Sequence, residues 1–185
     1  MSDIPNHLQT LFRRLVSLPD SKAPLPWRAI AVHPVGGLTD VAFAESTDLL
    51  LVISSAGRGL FDCSSGERIA RDPSDDFEHD TANLLAPGIG PVASQFLRTA
   101  GLHGGGLATT TADGWSLDLL TLSWPHHSLF LTPPGHGLYG SAFGRLGDTT
   151  KLATDSEIRA FGFSPTGRAF IFATSSDLSV FNRTA

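Results

Sequence analysis

Hydrophobic positions along the chain change period once, near residue 19. Before it, Leu8, Leu11, Phe12 and Leu15 recur at i, i+3, i+4 and i+7 and form one apolar stripe. That spacing predicts a helix over residues 1–18. Asp3 or Asn6 can cap its start, Pro5 suits a first turn, and Pro19 stops it. Residues 19–26 carry three prolines and read as an extended linker. From Trp27 onward, short apolar runs alternate with Gly, Pro, Ser, Asp and Asn. These runs predict strands at Trp27–His33, Thr39–Phe43, Leu49–Ser54, Gly59–Asp62 and Arg68–Ala70. Further strands are expected at 92–99, 107–111, 115–123, 128–132, 158–163, 169–174 and 178–182. Residues 72–90 read as a long acidic loop with one helical turn at 78–85, and residues 133–156 as irregular.

The strand pattern repeats. Val41 to Phe61 lies over Phe161 to Phe181 at a constant offset of 120 residues, without a gap. Phe43 meets Phe163, Leu51 meets Ile171, Ser55 meets Ser175 and Phe61 meets Phe181. A weaker third copy runs from Gly106 to Asp118 at an offset of 56, its turn Ala112-Asp113-Gly114 opposite Ala56-Gly57-Arg58. Each strong copy reads strand, polar turn, apolar strand, Ser-rich turn, short strand.

These units resemble blades of WD-repeat-like β-propellers. The resemblance rests on Phe163-Ser-Pro-Thr-Gly167, Ala173-Thr-Ser-Ser-Asp177 and Leu178-Ser-Val-Phe181. In the first copy it rests on the third-strand, turn and fourth-strand pattern of Gly59 to Ala70. It covers residues 38–72 and 157–182 and is weaker over 92–132. The Trp-Asp dipeptide and the Gly-His pair of the family are missing, so its hydrogen-bond network does not carry over. The expected fold is mainly β: a small propeller-like arrangement of three to four antiparallel sheet units over 27–185, with one N-terminal helix. Closed rings need four or more blades. Either 133–156 hides another blade, or the sheets form no ring, or two chains close one ring as a homodimer. The last copy lacks a fourth strand, and Trp27–His33 is free to fill that slot, which would remove an exposed sheet edge.

Charge narrows the partners. The net charge is −5 and only Arg13–Arg14 places two cations side by side. Nucleic acid, which needs clustered cations, is not expected. A basic protein surface complements an acidic chain. No apolar run reaches the length of a membrane span, and the start MSDIPNHLQT lacks the features of a secretory leader. A single cysteine, Cys63, rules out an internal disulfide. A cytoplasmic protein is expected. Two lysines among thirteen basic residues, with abundant Ala, Gly and Pro, fit a bacterial gene.

The residues that could carry chemistry are few. His103-Gly104-Gly105-Gly106 spells the oxyanion loop of esterases, but no G-x-S-x-G elbow follows it. The bland account is that these glycines let backbones approach closely. His126 and His127, with His103 and His136, fit no established zinc spacing, and neighbours on a strand point to opposite faces. Asp75, Asp76, Glu78, His79 and Asp80 form an acidic loop that solvent or a basic partner would satisfy. Trp124 with His126 and His127 sits at a strand end, where an exposed aromatic suits an interface. These eight residues are the expected contact surface of a non-enzymatic protein-binding module, without cofactor or resident metal. An immunity protein neutralising a bacterial toxin would suit the size and acidity. A hydrolytic or metal-dependent enzyme using His103, Asp113, His126 and His127 is an alternative, as is a lectin-like propeller stacking a sugar on Trp115.

Overall fold

The computed structural model describes residues 4–74, 76–138 and 149–183. Among the described residues the chain is mainly β, with one helix and four antiparallel sheets, and no sheet closes into a barrel. It forms two compact units, each assembled from two stretches of sequence: Met1–Pro24 with Thr109–Ser156, and Leu25–Ala108 with Glu157–Ala185.

The larger unit holds the repeat. Strands β1 (Trp27–Pro34), β2 (Leu38–Phe43), β3 (Leu49–Ser54), β4 (Gly57–Asp62) and β5 (Glu67–Asp72) follow one another. A short pair, β6 (Leu85–Pro87) and β7 (Phe96–Arg98), flanks a 3₁₀ turn at Gly90–Val92, and β8 is Ala100–Gly101. The sequence reading placed one strand over 92–99; Pro91 and the 3₁₀ turn take its first residues. No helical turn forms at 78–85, where Asp80 and Leu85 bridge instead.

In the smaller unit, α1 (Asn6–Ser17) lies with β9 (Ser116–Ser123), β10 (His126–Thr132) and β11 (Thr150–Asp155). The stripe of α1 meets Phe130, Leu120 and Leu122, which buries Leu11 and Leu15. Strand β11 was not expected: Thr-Lys-Leu-Ala-Thr-Asp carries no alternation of apolar and polar positions, and the strand is defined by its pairing with β10. Residues 139–148 of the segment read as irregular lie outside the described residues.

The larger unit is completed by β12 (Ile158–Phe163), β13 (Ala169–Thr174) and β14 (Asp177–Arg183). Each of these begins 120 residues after β2, β3 and β4 in turn. The pairing repeats too: Val41 faces Val52 as Phe161 faces Phe172, and Leu50 faces Phe61 as Phe170 faces Phe181. Even the register shift recurs, between Leu38 and Asp40 and between Ile158 and Ala160. The third copy does not follow. Residues 107–111 make only isolated bridges, Ala108 to Phe163 and Thr110 to Ser116.

β1 pairs with β14, giving a sheet of order β1-β14-β13-β12; the other large sheet runs β5-β4-β3-β2-β8. The unassigned early strand thus fills the vacant fourth slot of the last copy. Trp27 anchors it, its ring 5.0 Å from Phe170 and 5.5 Å from Phe163. Strand β3 is buried on both faces, which explains its unbroken apolar run. Val52 and Leu50 join Ile171 and Val180 in one core, and Leu51 and Ile53 join Ala86, Val92 and Leu97 in another.

Candidate functional site

Asp40 is the most unusual residue of β2, an acid with no exposed surface in the strand Leu-Thr-Asp-Val-Ala-Phe. The repeat puts Ala160 at its counterpart position. A buried carboxylate is costly unless partnered. Its partners come from β8 and the turn after it. Asp40 Oδ2 lies 2.7 Å from His103 Nδ1, and Oδ1 accepts the backbone N–H of His103 at 3.3 Å. Glycines make this approach possible. Gly101 faces Asp40 across the ladder, and a Cβ there would stand 2.2 Å from the Thr39 carbonyl oxygen. Gly105, at φ +77°, is pressed against Thr99 in the same way. Close backbone approach accounts for Gly101 and Gly105, and a positive φ of +116° for Gly104, in and beside the segment that spells an esterase loop.

The loop before β6 brings a third group. His79 stands edge-on to His103, ring centroids 5.2 Å apart, and stacks on Phe77. Phe77 in turn lies under the Arg58 guanidinium. The loop is held by the mutual backbone hydrogen bonds of Asp80 and Leu85 and by the Thr99 N–H donating to the Leu84 carbonyl. His79 Nε2 is buried, and among the described residues it has no hydrogen-bond partner. One donor atom from each of Asp40, His79 and His103 lies within 4.8 Å of the other two. Two imidazoles and one carboxylate are a donor set suited to zinc and similar divalent metals.

The eight residues expected to form a contact surface separate. Asp75 lies outside the described residues. Asp76 and Glu78 are exposed. Asp80 is tied to Asn83, whose side-chain and backbone N–H groups hold its carboxyl below the usual range. His79 turns inward, away from the role of a solvated loop residue. His126 is exposed, and His127 pairs with the Thr121 hydroxyl at 2.8 Å. Trp124 is 82 % exposed, as an interface aromatic should be. Of the alternative enzyme set, His103 belongs to the larger unit, whereas Asp113, His126 and His127 belong to the smaller. Trp115 is buried, so its face is not offered to a sugar. Cys63 is also buried, and desolvation, with Asp48 and Asp62 nearby, pushes its thiol far up, which makes it unreactive.

Sequence reasoning singled out His103 and His79 but assigned them other neighbours, and it passed over Asp40. One sign was legible: an acid set against alanine in the repeat, inside an otherwise apolar strand. No protein-family profile matches the chain, and no curated protein matches it.

Proposed function

We propose that the protein binds a divalent transition metal of the zinc class through Asp40, His79 and His103. The observation that carries this reading is the buried, unpartnered Nε2 of His79 beside the Asp40–His103 pair. A buried donor without a partner costs about 1–3 kcal/mol, and a metal ion would remove that cost. Three protein ligands leave a position open for water or substrate, as in catalytic rather than structural zinc sites. The competing account is that Asp40 merely secures the turn at Gly101–Gly104. The two accounts separate on His79. Metal-stripped protein titrated with Zn²⁺ by calorimetry, and with Co²⁺ by visible absorption, should bind one equivalent. His79→Ala should weaken binding by about tenfold or more while melting of the metal-free protein stays near wild type. Absence of a stoichiometric site overturns the proposal, and so does affinity unchanged in both His79→Ala and His103→Ala.

A second reading, protein docking, is favoured by a separate observation in the smaller unit. An apolar groove of about 880 Å³ runs between α1 and β9, lined by Leu8, Leu11, Phe12, Leu120 and Leu122 and ending at exposed Trp124. Its proposed occupant is an amphipathic basic helix of a partner, since the groove is apolar and the chain acidic. An amphipathic Leu/Lys peptide should bind and lose affinity with Trp124→Ser. If light scattering instead shows a dimer that Trp124→Ser dissociates, a second copy is the occupant and this reading fails.

A further inference from the structure

Basic residues look scattered along the sequence, yet the fold gathers two of them. On β5, Arg71 pairs with Gly59 and Arg68 pairs with Phe61, because the register shifts between Leu60 and Phe61. Gly59 and Phe61 lie two apart on β4 and share a face. Directly paired residues of neighbouring strands also share a face. The bulge at Ile69 therefore turns Arg68 and Arg71 to the same side. Without it, a spacing of three would put them on opposite sides.

That side opens into a cavity of about 260 Å³, bounded by Val35, Val52, Gly59 and Phe61 and by Arg58, Arg68 and Arg71. Gly59 keeps its floor open, since a Cβ there would stand 3.0 Å from the Phe61 ring and 3.4 Å from Arg68 Cδ. No carboxylate lines the cavity. The Arg58 guanidinium is already engaged by Asp72, the Pro87 carbonyl and the Phe77 ring. Among the described residues, Arg68 and Arg71 have no hydrogen-bond or ion-pair partner.

We infer that this cavity binds a small phosphate monoester. Two unpaired guanidinium groups match a phosphate dianion, which carries about −1.5 to −2 charges at neutral pH, better than a single carboxylate. Their planar forks fit phosphate oxygens two at a time. Val52, Pro34 and Phe61 add apolar contact for a small ester body. The inference stands independently of the metal site.

The test is calorimetric titration of the full chain with inorganic phosphate, phenyl phosphate and benzoate at physiological salt. One saturable site is expected, with phenyl phosphate bound more tightly than inorganic phosphate and benzoate weakest. Arg68→Ala and Arg71→Ala should each weaken phenyl phosphate about tenfold or more. Arg71→Lys, which keeps the charge and loses the fork, should also weaken it. Arg14→Ala, on α1, should change nothing. No saturation up to roughly 10 mM overturns the inference. Benzoate binding as tightly as phenyl phosphate, or an equal loss in Arg14→Ala, also overturns it.

Discussion

Asp118, on β9, has its carboxyl pushed above the usual range by desolvation alone. The fold therefore disfavours its charged form. That penalty is absent below the ordinary carboxylate value of about 3.9. It grows as pH rises through the folded value and is complete above it. Asp118→Asn should raise the melting temperature at neutral pH and give no gain in acid. Asp72 behaves in the opposite sense. The Ser74 backbone N–H, then Arg58, hold its carboxyl low. Its stabilisation is full above the ordinary value and is lost as pH falls through the folded one. Asp72→Asn should lower melting at neutral pH, with the difference shrinking in acid. Melting curves of both variants across pH check the two signs together. At Gly101 the constraint is steric. Gly101→Ala should lower melting and abolish Zn²⁺ binding, because its Cβ would stand 2.2 Å from the Thr39 carbonyl oxygen. Retained Zn²⁺ affinity in that variant would show that the turn does not position His103.

Among the elements, α1 is anchored by Leu11 and Leu15 and β1 by Trp27. Leu15 is 2 % exposed at the helix–sheet contact, so Leu15→Ala should cost about 2–5 kcal/mol. Trp27 holds the first residue of β1 against Phe163 and Phe170. Trp27→Ala should cost about 3–5 kcal/mol, and denaturant titration showing no change would mean β1 adds nothing to its sheet. Elements of this kind were legible in sequence, because α1 keeps a strict helical period and the repeated strands keep both spacing and hydrophobicity over 120 residues. Those with polar or very short sequences were not. β11 is polar in sequence and is defined by its pairing with β10, and β6, β7 and β8 are only two or three residues long. Residues 107–111 looked like a strand from composition but found no continuous partner. Pairing is a property of two segments, and one sequence window shows only half of it.

At the scale of the molecule, neither candidate site can be read from residue spacing along the sequence. Asp40 and His103 stand 63 residues apart, and His79 comes from a loop between them. Arg68 and Arg71 share a face only because of a bulge, which no periodicity announces. Composition gave a net charge of −5 and a scatter of cations, from which no basic cavity could be read. The interaction role expected from blade-like units remains a proposal, for which the groove at Trp124 offers the test surface.

The pairing of β1 with β14 also sets a timetable for synthesis. A ribosome adding roughly 5–20 residues per second finishes β1 roughly 7–29 seconds before it reaches Asp177. Throughout that interval the nascent chain presents Trp27 and a strand edge with nothing to cover them. Holding such an edge apart from other chains is chaperone work, so expression at low temperature, where translation lags further, should make this protein more dependent on a ribosome-bound chaperone, not less.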